Sequence, residues 1–91
     1  MAVFNTEVFQ VKDVAGFKAA IEKMRPSLEA GGASDIRVFR QVGNAAKVII
    51  TAWWPTAEAC RTYARDHEAE FMSILMPQVT EAEAEYVWEQ V

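Results

Sequence analysis

A chain of 91 residues has room for one hydrophobic core and not two, so a single domain over residues 1–91 is expected. With 52% hydrophobic and 24% charged residues it is too apolar to be disordered, and no apolar run approaches the roughly 20 residues of a membrane-spanning helix. That leaves no membrane expected as a partner, and a net charge of −4, with Glu81, Glu83, Glu85 and Glu89 gathered near the end, opposes a phosphate backbone, so nucleic acid is not expected either.

Val3 to Val11 sets Phe4, Thr6, Val8 and Gln10 against Val3, Asn5, Glu7, Phe9 and Val11, a strand with apolar groups on both faces. Asp13 can cap a helix whose apolar stripe is Val14, Phe17, Ile21, Met24 and Leu28. Pro26 removes a donor and crowds the carbonyl of Glu22, which predicts a helix in two pieces before Gly31-Gly32 ends it. Asp35 to Val42 then places Ile36, Val38 and Val42 on one face, Gly43-Asn44 allows a turn, and Ala46 to Trp54 resumes in β-forming residues. Pro55 stops that strand, and Thr56 can cap a second helix with the stripe Cys60, Ala64, His67, Phe71 and Ile74, ended by Pro77. Ala82 to Val91 alternates as a last strand and would put Glu83, Glu85 and Glu89 on one face, read as a solvated rim.

The order βαββαβ is that of an α+β, ferredoxin-like fold with a four-stranded antiparallel sheet and both helices on one side. The strands are apolar on both faces, so the uncovered face asks for a partner. A second copy stacked sheet to sheet, forming a homodimeric α/β barrel, is the expected solution. Cys60 is the only cysteine and is expected to be a small buried hydrophobe. The opening Met1-Ala2-Val3-Phe4-Asn5 lacks a basic segment followed by an apolar one, and the expected location is cytoplasmic.

No phosphate loop, nucleophile elbow or Cys–His pair is present. With one His and one Cys, a structural zinc site lacks its ligands, and no metal site is expected. His67 lies on the apolar stripe of the second helix, where it is either a packed, hydrogen-bonded imidazole or a general base. The aromatic load is either core or the wall of an apolar pocket for a planar ligand, oriented by Asn5, Thr51 and Tyr63. Trp53 and Trp54 point to opposite sheet faces, so only one of them lines such a pocket.

The run Val48-Ile49-Ile50-Thr51-Ala52-Trp53-Trp54-Pro55-Thr56-Ala57-Glu58-Ala59, followed by Tyr63-Ala64-Arg65-Asp66-His67-Glu68-Ala69-Glu70-Phe71-Met72, resembles the dimeric α/β-barrel superfamily, in its antibiotic-biosynthesis monooxygenase-like branch. The resemblance rests on an apolar strand ending in Trp54, a cap at Thr56, Glu58-Ala59, and His67 a turn before Phe71. It implies a homodimer with a ligand cavity between the sheet and helices of each subunit. Members of that superfamily include cofactor-independent oxygenases of polycyclic aromatics and haem-degrading enzymes. Asn5 suits the first-strand Asn of the haem-degrading members, but Tyr63 stands where their Trp would be and His67 falls earlier than their ligand, so haem is disfavoured and no cofactor is expected.

The expected function is that of a small monooxygenase-like protein binding a planar aromatic. His67 would be its base, Asn5 and Tyr63 its other catalytic groups, and Trp54, Thr51 and Phe71 its substrate contacts. The alternative is a non-catalytic homodimeric ligand-binding or interaction protein of the same fold. An enzyme should gather Asn5, Tyr63 and His67 around one concave space; a purely structural His67 would be packed without a void beside it.

Overall fold

The computed structural model describes residues 1–91. Strand β1 (Val3–Val11) pairs antiparallel with β3 (Lys47–Trp54) on one side and β4 (Val79–Glu89) on the other, and β2 (Ser34–Arg40) completes the order β2-β3-β1-β4. This is the four-stranded antiparallel sheet of a ferredoxin-like α+β fold. The register sets Val3, Asn5, Glu7 and Phe9 opposite Trp54, Ala52, Ile50 and Val48. Directly opposed residues share a face, so these eight side chains look toward the helices, while Phe4, Thr6, Val8, Thr51 and Trp53 look the other way.

Helix α1 (Val14–Ala30) starts where the Asp13 carboxylate accepts the Gly16 N–H at 3.0 Å. It buries Phe17, Ala20, Ile21 and Met24 on the sheet. The helix is continuous across Pro26, where two pieces were expected. Pro26 lies on the exposed side, and next to it the Ser27 Oγ reaches the Met24 carbonyl, the Tyr63 hydroxyl and Glu70 Oε1, each at 2.9 Å. At the other end the Ala33 N–H returns to the Leu28 carbonyl at 3.0 Å while Gly32 adopts φ +113°, a left-handed turn that a side chain would oppose.

The β2–β3 hairpin turns through Gly43 at φ +87°, with Asn44 Oδ1 accepting the Ala46 N–H at 3.2 Å. Strand β2 ends at Arg40, so Val42, expected inward beside Ile36 and Val38, is fully exposed in the turn. Helix α2 (Ala57–Asp66) begins at Thr56, whose Oγ1 accepts the Ala59 N–H at 3.0 Å. It does not run on to Pro77 as its apolar stripe implied. His67, at φ −115° and ψ 21°, leaves the helical region, and the chain continues as a three-residue helix α3 (Glu68–Glu70), a π-helical turn over Phe71–Leu75 and a 3-10 turn over Met76–Gln78. Within this irregular stretch Leu75, only 2% exposed, lies in the core.

Strand β4 also departs from simple alternation. Its pairing with β1 skips Glu83 between Val8↔Ala84 and Phe9↔Ala82. Glu83 sits in this bulge and turns its carboxylate to the side away from the helices, where it takes hydrogen bonds from Gln10 Nε2 at 2.6 Å and Lys47 Nζ at 3.0 Å. The single-face rim of Glu83, Glu85 and Glu89 is therefore not formed; Glu85 stays on the helix side, directly opposite Glu7.

Candidate functional site

Between the helix-facing side of the sheet and α1, α2 and the turns after His67 lies a cavity of about 430 Å3. This is the size range of small-molecule sites. Its floor comes from the alternation of β1 and β3, which brings Asn5, Glu7, Ile50 and Ala52 to one surface; Ile21, Met24 and Leu28 of α1 roof one part, and Cys60, Tyr63 and His67 the other.

Asn5, Tyr63, His67, Trp54 and Phe71 all line this one space. Asn5 is 8% exposed, and its Nδ2 donates to the Tyr86 carbonyl on β4 at 3.2 Å, which fixes the amide on the floor. Tyr63 stacks on His67, with ring centroids 4.3 Å apart, and packs tilted against Trp54 at 5.3 Å. The Tyr63 hydroxyl is engaged by Ser27, so the residue presents its ring to the cavity; burial pushes its phenol above the ordinary range, and the Ser27 hydrogen bond partly offsets that. His67 Nδ1 lies 3.2 Å from Glu70 Oε2. A carboxylate there favours the tautomer with the proton on Nδ1, leaving Nε2 as the acceptor. Trp54 is 4% exposed, and its indole N–H has no hydrogen-bond partner. Thr51 borders the cavity, yet its pairing with Thr6 sends its side chain to the opposite sheet face, so it offers no side-chain contact to a ligand in this space.

Glu7 is not singled out by the sequence. It lines the cavity half-buried and is paired across the ladder with Glu85. Burial, followed by the hydrogen bond and the negative charge of Glu85, pushes the Glu7 carboxyl from 4.5 up to about 9. Glu7 thus keeps its proton at neutral pH. Cys60, above the pair on α2, is pushed up to about 11 by burial and by the charges of Glu85 and Glu7, with Arg61 opposing. No three histidine, cysteine or acidic side chains come together in an arrangement that could hold a metal ion.

No protein-family model matches the chain, and no curated protein does. Solved structures do match over its whole length. An antibiotic biosynthesis monooxygenase-type protein from Bordetella bronchiseptica superposes with a TM-score of 0.85 at 14% identity, covering 99% of this chain and 97% of that one. The chain shares the fold of antibiotic-biosynthesis monooxygenase-like proteins. Within that group, SnoaB, a cofactor-independent oxygenase from Streptomyces nogalater, gives a TM-score of 0.81 at 16% identity, covering 99% and 93% of the two chains. A conserved protein from Methanosarcina mazei gives 0.80 at 18%, covering 100% and 94%. At these identities the likeness carries architecture and leaves the side chains of the cavity to speak for themselves.

Proposed function

We propose that this protein is a small monooxygenase-like protein that binds a planar aromatic ligand in the cavity and oxygenates it without a cofactor. The observation that carries the reading is the cavity itself: an apolar space of about 430 Å3 with Asn5, Trp54, Tyr63 and His67 on its walls. The fold it shares with a cofactor-independent oxygenase supports the same reading.

In this proposal Asn5 and Trp54 orient the ligand, Tyr63 and Phe71 form walls that exclude water, and His67 accepts a proton through Nε2 while Glu70 holds Nδ1. An aromatic with an acidic ring methylene loses one proton to His67. The carbanion reduces dioxygen and a carbon–oxygen bond forms. The second methylene hydrogen and the proton held by His67 then leave with the distal oxygen as water, and the proximal oxygen stays as a carbonyl. Methylene and dioxygen thus become carbonyl and water, a balance that calls for no external reductant. Positioning and dryness are the protein's main contributions to such a reaction. We further propose that it works as a homodimer joined through the sheet face away from the helices.

Tryptophan fluorescence titration with fused-ring hydroxyaromatics, run beside an oxygen electrode, tests the proposal. Micromolar binding with oxygen uptake that His67→Ala reduces at least about tenfold is the expected result. Binding without uptake in the wild type would replace it with the alternative, a non-catalytic ligand-binding dimer. Absence of binding would overturn both.

A further inference from the structure

The end of the cavity formed by β1 and β4 has a chemistry of its own. Glu7 and Glu85 are direct cross-strand partners, an arrangement that ordinarily destabilises a sheet when both are charged. No lysine or arginine lines the cavity to relieve it; the charged residues on its wall are Glu7, Glu68, Glu83 and Glu85, and the Glu83 carboxylate is turned away. Lys47 of β3 is spent on Glu83 at the opposite sheet face.

The other groups around the pair do not neutralise it. Helix α1 contributes only Ile21, Met24 and Leu28 at the cavity wall. From the α2 side come Cys60, whose thiol stays protonated beside the two carboxyls, and then Tyr63 and His67, the latter bonded to Glu70. Arg61 acts on Cys60 from outside the cavity wall. In the free protein the proton held by Glu7 takes the place of a cation. Meanwhile Trp54, Tyr63 and Phe71 offer aromatic surface in the same space, and the Trp54 indole N–H is a buried donor lacking an acceptor. Carboxylates and aromatic faces are the two elements that recognise an organic ammonium.

We propose that the Glu7–Glu85 end of the cavity selects planar ligands that carry a protonated amine. The ammonium meets the two carboxyl groups where β1 and β4 pair, while the ring lies against the aromatic wall. Ligands bearing a carboxylate are rejected. This rests on the ligand-binding part of the proposed function and is independent of turnover.

The test is calorimetric titration at pH 7 with three probes of one shape: naphthylmethylamine, naphthylmethanol and naphthoate. The amine should bind about tenfold or more tightly than the alcohol, and naphthoate should not bind measurably. Repeating the amine titration in buffers of different ionisation enthalpy should show proton release, which the alcohol lacks. In the Glu7→Gln/Glu85→Gln double variant, checked for cooperative melting, the preference and the proton release should both vanish. Equal binding of amine and alcohol, tight binding of naphthoate, or an amine preference that survives the double substitution would each overturn the inference and leave the cavity as a ligand site. Failure of all three probes together with the fused-ring hydroxyaromatics would overturn the ligand site as well.

Discussion

Glu7 carries a stability signature that can be read without any ligand. Its carboxyl titrates near 4.5 in the unfolded chain and at about 9 in the fold, so the folded state holds a proton that the unfolded state gives up. The contribution is present in full below pH 4.5 and is lost as the pH rises through about 9. Cys60, raised to about 11, adds its own loss only above that window. Stability should therefore fall steadily between about pH 5 and 9, and Glu7→Gln, which keeps the shape and cannot ionise, should flatten the slope and raise stability at pH 8 by on the order of 1–3 kcal/mol. Urea denaturation at a series of pH values measures this; a wild-type profile already flat across the window would show that Glu7 ionises in the fold as it does in the unfolded chain. His67 and Tyr63 work at the same scale in a different manner. Their ring stack and the Ser27–Glu70 contacts link α1 to the break after α2, so these residues serve packing and cavity wall at once.

At the scale of the element, local signals sufficed wherever the decision was local. The bounds of β1 follow from alternation, α1 starts at Asp13, and α2 starts at Thr56, because alternation and caps involve neighbours only. The cap of α2 matters more than usual since this helix is short and is broken at His67. Thr56→Ala should lower the unfolding free energy by about 1 kcal/mol while Thr56→Ser leaves it nearly unchanged, as read from denaturant midpoints; equal midpoints for all three proteins would mean the Ala59 N–H finds another acceptor. What the sequence concealed were non-local features. Parity counting along β4 fails at Glu83 because a bulge inserts a residue without leaving a mark in the alternation. The Glu7–Glu85 pair depends on register between strands far apart in the chain, so neither residue alone announces it. The apolar stripe through Phe71 continues past His67 in sequence, yet the backbone leaves the α-helix at His67 and passes through a π-helical turn in which Leu75 is buried. Among the candidate site residues, Thr51 stands on the face away from the cavity, a placement that the opposite facing of Trp53 and Trp54 already made legible.

For the whole molecule the decisive feature is the sheet face without helices. Phe4 packs on Trp53 at 5.0 Å, Tyr86 on Trp88 at 5.5 Å, and the Trp88 indole donates to Thr6 Oγ1 at 3.1 Å, so the aromatic side chains on this face are held in place. Yet Phe39 is 50% exposed, Tyr86 56% and Trp88 54%. Leaving ordered aromatic surface in water forgoes about 25 cal/mol for each Å2 that a partner could cover. A second copy offers the same flat, apolar surface and a closed two-fold arrangement that leaves no further sticky face. Sedimentation velocity should accordingly find a dimer at micromolar concentration. Trp88→Lys places an ammonium where it would be trapped against its symmetry mate, and should shift the equilibrium to monomer by about tenfold or more in dissociation constant. Because this face is separate from the Phe17–Leu75 core under the helices, the variant should still melt cooperatively, at a temperature that no longer depends on protein concentration. A wild-type protein that sediments as a monomer at hundreds of micromolar would remove the sheet-to-sheet dimer, and would leave those rings free to meet some other apolar partner.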